Sequence, residues 1–387
     1  MESWLLRSVL LWYDSFMKSL GIIAEFNPFH QGHQYLIHQA IADTDAEVCV
    51  VVMSGNFVQR GLPAVYDKWA RAEEAVKQGA NLVVELPTVF ACNSAEYFAK
   101  GGVSVLEGFG CIDYLAFGSE HGDLAEIQKA AAFLKSNDSL LTRRIQTLLK
   151  EGLSHPKARE IAVLELEKDF DEDLIKEPNN ILAIEYLKQI ERMQPYTVKR
   201  QGAGYHQAAS VIRKEMEVEN PAYFTKIREN YWHLTASKIL QMDLEQLSKV
   251  FSADQGLANK IKKEIRYASS ADELIDRVKS KVYTRSRISR FLTHILLDID
   301  GQAVPERAEY IRVLAFNQTG SRFLKSVKKA ECNRLPILTN INKEAANYPE
   351  IRKGLDMDIC ASDIYNLITG RNLYDYSDYV MRPYVKL

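Results

Sequence analysis

The feature that most constrains the fold is a short segment in which an apolar strand passes through a turn containing proline into a helix. Residues 21–36 read GIIAEFNPFHQGHQYL, and the turn ends in the pattern His-x-Gly-His. This order places the start of a helix at the carboxyl edge of a sheet, where free N–H groups and the helix dipole favour bound phosphate. The segment therefore predicts a phosphate site on an α/β fold.

The spacing of the histidines suits chemistry at the α-phosphate of ATP. Gly32 has no side chain, so a triphosphate can approach the backbone between His30 and His33. Both imidazoles can donate hydrogen bonds to the charge that grows on phosphate oxygens during nucleotidyl transfer. A single histidine is often only structural, and the motif gains its meaning from the strand, turn and helix around it. We predict an ATP site in which His30 and His33 are catalytic.

The first half of the chain alternates apolar strands with helices. This pattern predicts a doubly wound, Rossmann-like parallel sheet covered on both faces, with ligands at the carboxyl ends of its strands. The predicted strands are Leu20–Ala24, Glu47–Met53, Asn81–Leu86, Ile112–Phe117 and Tyr196–Arg200. From about Tyr223 the pattern is helical without a recognisable strand. We therefore predict a catalytic domain at 17–220 and a mainly helical domain at 221–387.

Composition excludes several classes of protein. The chain has 387 residues, a formal net charge of −2 and five scattered cysteines without a Cys-x-x-Cys pair. This usage argues against a disulfide framework and a zinc site, and it favours the cytoplasm. We also expect no transmembrane segment, no protein ligand set for a metal and no obligate protein partner. Residues 1–16 are apolar but too short to span a bilayer. We interpret them as an upstream extension before a working start at Met17.

Polar and basic residues follow other predicted strands at the same sheet edge. Each has two open interpretations: a contact with substrate or phosphate, or an ordinary turn, helix cap or solvated side chain. They are Arg60 in the segment SGNFVQRG, Lys68 and Arg71 on one helix face, Gly118, Asn179, Asn180, Arg200, and Ser210 with Arg213.

Basic residues cluster in the helical half of an otherwise neutral chain, which favours contacts with nucleic-acid phosphates over merely solvated faces. The predicted contacts are Lys262, Lys263, Arg285, Arg287 and Arg290. A second basic group comprises Arg322, Lys325, Lys328 and Lys329. An unpaired base would also need an aromatic surface near the site, and Tyr205 and Phe57 are candidates.

Several blocks of the first half together resemble the tRNA(Met) cytidine acetate ligase family of the HxGH nucleotidyltransferase superfamily. The blocks lie within residues 20–215 and read AEFNPFHQGHQYL, SGNFVQRG, GANLVVELP, SAEYFAKGGV, FGSE, EPNNILAIEYL and KRQGAGYH. The segment Ala209–Arg213 is similar to the second superfamily signature, which usually reads Ser-Ser/Thr-x-x-Arg.

The resemblance implies a two-step reaction. Acetate attacks the α-phosphate of ATP to give acetyl-adenylate and pyrophosphate, and N4 of the wobble cytidine of elongator tRNA(Met) then takes the acetyl group. The implied ATP contacts are Ile23, Ala24, Glu25, Phe26, Asn27, Pro28, Phe29, His30, Gln31, Gly32, His33, Gln34, Tyr35, Leu36, Gly118, Asn179 and Arg200. We add Ser210 and Arg213, and expect Mg²⁺ held mainly by phosphates and water.

The chain departs from the family pattern at a few positions. Gln31 stands where Asn is common, and Ala183 stands where Gly is common. The segment between Asn179 and Arg200 is a few residues short, which leaves Asn180 as the alternative ATP contact. Two other functions remain open: a nucleotidyltransferase that acts on a small cofactor precursor, and an inactive relative that only binds RNA.

Overall fold

The computed structural model describes residues 16–168, 170–200, 209–302 and 304–387. Most of the predicted upstream extension, the loop at 201–204 and Tyr205 lie outside these residues. The described strands are β1 (Ser19–Ala24), β2 (Val48–Ser54), β3 (Phe57–Val58), β4 (Leu62–Pro63), β5 (Leu82–Leu86), β6 (Tyr114–Ser119), β7 (Gln194–Lys199), β8 (Ile311–Asn317), β9 (Ile337–Leu338) and β10 (Tyr384–Lys386).

The helices of the first half connect these strands. They are α1 (Gln31–Thr44), α2 (Lys68–Lys77), α3 (Thr88–Ala91), α4 (Ala95–Gly108), α5 (Leu124–Ser136), α6 (Asp138–Lys150), α7 (His155–Leu166), α8 (Asp173–Lys176), α9 (Pro178–Gln189) and α10 (Ala209–Glu219).

The second half is richer in helices. They are α11 (Pro221–Gln241), α12 (Leu244–Lys249), α13 (Gln255–Glu264), α14 (Ala271–Val278), α15 (Arg285–Leu296), α16 (Gln318–Ala330), α17 (Ile341–Glu344) and α18 (Arg352–Thr369), with short 3₁₀ turns at Ile265–Tyr267, Ala345–Asn347 and Pro349–Ile351. None of the described helices is both long and apolar enough to cross a bilayer.

The sheet confirms the predicted doubly wound arrangement. Five parallel strands lie in the order β5-β2-β1-β6-β7, so the chain winds outward in both directions from β1. Alternate residues of β2 face opposite sides: Val50 belongs to one apolar core, and Val51 belongs to the other. Because both faces are covered, these strands are apolar along their whole length.

The prediction that no strand follows Tyr223 is wrong. Strand β8 joins the main sheet antiparallel to β5, and β9 and β10 pair with β8 in parallel. Residues 310–315 are a short, wholly buried run, and the periodicity of such a run does not distinguish a strand from a buried helix. Helices α11–α15 form a helical cluster with its own apolar core. A domain boundary near residue 220 stays a prediction.

A buried network of charges ties the C-terminal segment to this sheet. Lys68 Nζ lies 2.8 Å from Glu85 Oε1 and 2.8 Å from Asp378 Oδ2, and all three side chains are at most 1% exposed. Arg312 on β8 completes the network at 2.8 Å from Asp378. Helix α2 and strands β5 and β8 are therefore joined to a residue far along the chain.

Candidate active site

The turn between β1 and α1 is held in an unusual conformation. Phe26 is 1% exposed and has a φ of 47°, in the left-handed region that residues with a side chain rarely adopt. The next peptide bond, Asn27–Pro28, is cis. Asn27 Oδ1 accepts a hydrogen bond from the Val65 N–H at 2.8 Å. A left-handed φ of this kind persists where surrounding contacts impose it, and it occurs often at functional sites.

The two histidines cap helix α1 together. His30 is the N-cap residue, and its Nδ1 accepts a hydrogen bond from the Gly32 N–H at 3.0 Å. The His30 N–H in turn donates to Nδ1 of His33 at 3.3 Å. The rings stack, with centroids 3.7 Å apart. Because each Nδ1 accepts a hydrogen bond from a backbone N–H, each neutral ring carries its own proton on Nε2.

His33 is held in its neutral form. Burial lowers its pKa well below the usual value, and the charges of His30 and Arg200 lower it further. A neutral imidazole with Nε2–H remains a hydrogen-bond donor, so the ring can bind phosphate oxygens without becoming charged. Phe29 packs near it, with ring centroids 5.6 Å apart.

Arg71 is not a solvated surface residue. It is 2% exposed, and its guanidinium donates to the carbonyl oxygens of Glu25 at 2.7 Å, Ser54 at 3.0 Å and Tyr66 at 2.9 Å. Lys68 is equally buried in the charge network. The interpretation of this pair as solvated surface residues is therefore wrong, because helix α2 packs this face against the sheet. A part in balancing phosphate charge stays a prediction. Arg71 joins the carboxyl ends of β1 and β2.

Glu25 places a buried carboxyl group beside the turn. Its Oε1 accepts a hydrogen bond from the Gln59 N–H at 2.8 Å. Burial raises its pKa, whereas that hydrogen bond and the charges of Arg213, Arg71 and Arg60 lower it. The segment containing Gln59 and Arg60 is thus fixed against the turn that carries the histidines.

The fourth and fifth strands of the parallel sheet bring a second group to the same edge. Gly118 lies beside Arg200, and a Cβ at Gly118 would be 3.3 Å from Arg200 Cγ. Glu120 Oε1 accepts a hydrogen bond from Asn179 Nδ2 and lies 4.0 Å from Arg200 Nε. Glu120 was not among the residues selected from the sequence. Its position directly after the strand-ending Gly-Ser pair was the available signal.

Asn180 has a structural role instead. It is 1% exposed, and its Oδ1 accepts a hydrogen bond from the His121 N–H at 3.0 Å. Its Nδ2 donates to the Asp173 carbonyl at 3.3 Å. Because Asn180 is engaged within the fold and Asn179 is only partly buried, the geometry favours Asn179 as the site residue of this pair.

Helix α10 adds a cation to the turn. Arg213 Nη1 donates to the carbonyl oxygen of Asn27. Ser210 lies one turn earlier on the same helix and is exposed. In helix α1, Gln34 Nε2 donates to Gln78 Oε1 at 2.8 Å, and Tyr35 and Leu36 pack against the core with Ile22 and Ile37. These side chains of α1 support the turn from behind.

The predicted RNA contacts differ in their surroundings. Lys262 Nζ donates to the carbonyls of Ile239 at 2.9 Å and Leu240 at 3.3 Å and so caps α11, whereas Lys263 is exposed. The paired arginines are Arg285, bound to Asp272 and Asp276, and Arg287, bound to Asp254. Their tRNA contacts stay predictions.

The aromatic candidate Phe57 is 0% exposed and packs against Tyr365. It is therefore buried and offers no surface to a base. Among the described residues, no group of three or more His, Cys, Asp or Glu side chains is arranged to hold a metal.

Comparison with known proteins identifies the family. The family model for HIGH Nucleotidyl Transferase matches residues 17–378. The tRNA(Met) cytidine acetate ligase of Caldanaerobacter subterraneus subsp. tengcongensis is 37% identical to this chain over 405 aligned residues, which cover 96% of this chain and 100% of that protein. The chain belongs to the tRNA(Met) cytidine acetate ligase family. The ligase of the same name from Clostridium perfringens is 35% identical and covers 95% of this chain and 100% of its own length.

Solved structures agree with this membership. The crystal structure of Thermotoga maritima TmcAL bound with alpha-thio ATP is 28% identical in sequence and matches with a TM-score of 0.85, covering 95% of this chain and 99% of that chain. The apo form of the same protein matches with a TM-score of 0.84. The resemblance stated from the sequence is confirmed, and the chain is a ligase that uses ATP.

Proposed function

We propose that this chain activates acetate with ATP and transfers the acetyl group to N4 of the wobble cytidine of elongator tRNA(Met). The observation that carries the proposal is the stacked pair His30 and His33, which caps a helix at the carboxyl edge of the sheet. The ATP analogue bound by the Thermotoga relative and the shared names of the relatives support the proposal.

In the first step, an oxygen of acetate forms a bond to the α-phosphorus of ATP. The bond from that phosphorus to the bridging oxygen breaks, and pyrophosphate leaves with its electron pair. The Nε2–H groups of His30 and His33 donate to the oxygens that gain charge. The predicted ATP contacts are the residues 23–36 together with Gly118, Asn179, Arg200, Ser210 and Arg213. Two observations support this set: Gly118 lies beside Arg200, and Arg213 donates to the carbonyl oxygen of Asn27 in the turn.

In the second step, the N4 amine attacks the acetyl carbonyl, AMP leaves, and N4 loses one proton. The products are N4-acetylcytidine and AMP. Mg²⁺ would screen the charge of the triphosphate, and we expect phosphates and water to supply most of its ligands.

The tRNA needs a cationic surface, and the helical cluster α11–α15 provides one. Several of its cations are exposed and form no ion pair with a described carboxylate: Lys263, Arg266, Lys279 and Lys281. Such side chains can neutralise phosphates without first breaking internal contacts. We therefore assign the tRNA surface to them in preference to the ion-paired Arg285 and Arg287.

The test uses purified protein with ATP and labelled acetate, with and without tRNA(Met). We expect pyrophosphate exchange that requires acetate, and labelled tRNA with AMP when tRNA is added. Pyrophosphate release with a small cofactor precursor and not with acetate would favour the nucleotidyltransferase alternative. Tight tRNA binding without turnover would favour the inactive relative.

A further inference from the structure

Helix α15 docks on the loop that follows β2. Gly61 has a φ of +71°, and a Cβ there would lie 2.5 Å from Arg290 Cα, so only glycine permits this approach. The Gly61 carbonyl accepts hydrogen bonds from Ser289 Oγ at 3.1 Å and Thr293 Oγ1 at 2.8 Å. The helix is thereby held against the β3–β4 hairpin.

The same helix also contacts the loop that follows β5. His294 Nε2 lies 2.6 Å from the Cys92 carbonyl oxygen, to which it donates. Arg290 stands one turn before His294 on the same face of the helix, and its backbone lies against Gly61. Gly61 lies in the β3–β4 hairpin, which follows β2, and Cys92 lies after the short helix α3, which follows β5.

This position is close to the turn of the active site. Gln59, two residues before Gly61, donates its N–H to the Glu25 carboxylate at 2.8 Å. The charges of Arg290 and Glu25 both act on the pKa of the buried Cys92 thiol, in opposite directions, with burial raising that pKa most. Arg290 therefore packs, through Gly61, against the segment whose Gln59 binds Glu25 beside the turn.

Arg290 is the unpaired cation of its helix. Arg285 and Arg287 each reach a carboxylate at 2.7 Å, but Arg290 has neither an ion pair nor a side-chain hydrogen bond within the described part of the chain. Its guanidinium is only partly exposed, and burial lowers its pKa. A guanidinium that no described carboxylate engages can bind an anion that enters the site from solution.

We propose that the Arg290 guanidinium binds the carboxylate of acetate and orients it toward ATP. The inference rests on the proposed function and names a residue for its smaller substrate. A guanidinium presents a planar fork of donors that matches both oxygens of a carboxylate. Acetate offers little other binding energy, so a positioned cation is the contact on which its affinity depends.

The experiment measures acetate-dependent pyrophosphate exchange without tRNA in Arg290→Gln and Arg290→Lys. We expect KM for acetate to rise about 10- to 100-fold in Arg290→Gln, because the substitution removes a charge-assisted pair of hydrogen bonds. KM for ATP should change less than about twofold, which is within the scatter of surface substitutions. Arg290→Lys keeps the charge but not the planar fork of donors. Its KM for acetate should therefore lie between that of the unaltered protein and that of Arg290→Gln.

Arg144→Gln is the matched control, because Arg144 is exposed and pairs with Glu165 on the surface of α6 and α7. It should leave KM for acetate unchanged. Thermal unfolding of each variant checks the fold, and Arg290→Lys takes the place of Arg290→Gln if the latter is unfolded.

Two results would overturn the inference while leaving the proposed function intact. The first is a rise in KM for ATP alone, which would place Arg290 on the triphosphate. The second is a change confined to the tRNA-dependent step, which would place it on a tRNA phosphate. If the unaltered protein showed no acetate-dependent exchange at all, the proposed function would fail and this inference with it.

Discussion

Nδ1 of each site histidine accepts a backbone hydrogen bond, and the proposed function assigns the Nε2–H groups to the ligand. In His30→Asn the new side chain still caps α1, because Asn is a good N-cap residue, but the variant has no Nε2–H. We expect acetate-dependent pyrophosphate exchange to fall about a hundredfold or more, on the order of 3 kcal/mol of transition-state stabilisation. The melting temperature should change little. Near-normal exchange in this variant would contradict a catalytic role.

Buried neutral histidines also make the protein sensitive to acid. Burial lowers the pKa of His294 to about 4. Below pH 6.5 this histidine therefore binds a proton in the unfolded chain but not in the folded chain. The free energy of unfolding falls as the pH drops toward 4. The slope should be about 1.4 kcal/mol per pH unit for this group. Urea unfolding between pH 7.5 and 5 measures it.

The matched variant for this pH dependence is His294→Gln. It should be less stable at pH 7.5, because the hydrogen bond to the Cys92 carbonyl is altered, and its stability should depend less on pH. If the free energy of unfolding depended equally on pH in both proteins, other groups would be the cause of the acid sensitivity.

At the scale of elements, most of the first half was predictable, because each strand is a buried apolar run followed by a turn. Strand β8 was missed because a short run buried on every side carries no periodicity. The surroundings of Lys68 and Arg71 were missed for a related reason. Their spacing places them on one helix face, but only the packed sheet shows that this face is buried.

The exposed cations of the helical cluster define an element-scale test. In the variant with Lys263, Lys279 and Lys281 all changed to Glu, we expect weaker tRNA binding. The dependence of log Kd on log salt should also become flatter, by about 0.7 or more for each phosphate that the protein no longer neutralises. Acetate-dependent pyrophosphate exchange should stay unchanged. Filter binding between 50 and 200 mM salt provides the measurement.

The comparison variant carries Glu at Lys325, Lys328 and Lys329, which are exposed on α16. A fall in tRNA affinity in that variant alone would indicate that tRNA binds to α16 and not to the helical cluster α11–α15. Reversal of Arg285 and Arg287 is less informative, because it would also place Glu beside Asp272, Asp276 and Asp254.

At the scale of the whole molecule, the site depends on packing that no local pattern encodes. The motif His-x-Gly-His identified the turn from the sequence alone. The placement of Arg290 beside the loops after β2 and β5 required the fold, because these segments are far apart in the chain. The sequence around a single charged residue does not indicate which residues it will contact in the folded protein.

The buried charge network gives the prediction at this scale. Lys68→Met should lower the free energy of unfolding by about 3–5 kcal/mol, because the buried carboxylates of Glu85 and Asp378 would share one cation fewer. Lys77→Met is its control on the same helix. Lys77 pairs with Glu73 at the surface, where both side chains are more than a third exposed, and its replacement should cost less than about 1 kcal/mol. Similar destabilisation in both variants would contradict the assigned importance of the network.

The same network has a consequence for synthesis of the chain. Lys68 and Asp378 are separated by 310 residues, which a ribosome adds in roughly 15 to 60 seconds. In the later part of that interval the first half of the chain has been synthesised, but it lacks one of the carboxylates that its interior requires. Translation that stops before codon 378 would therefore release a product whose nucleotide site rests on an unfinished core, and cellular proteases would find it unfolded more often than the complete enzyme.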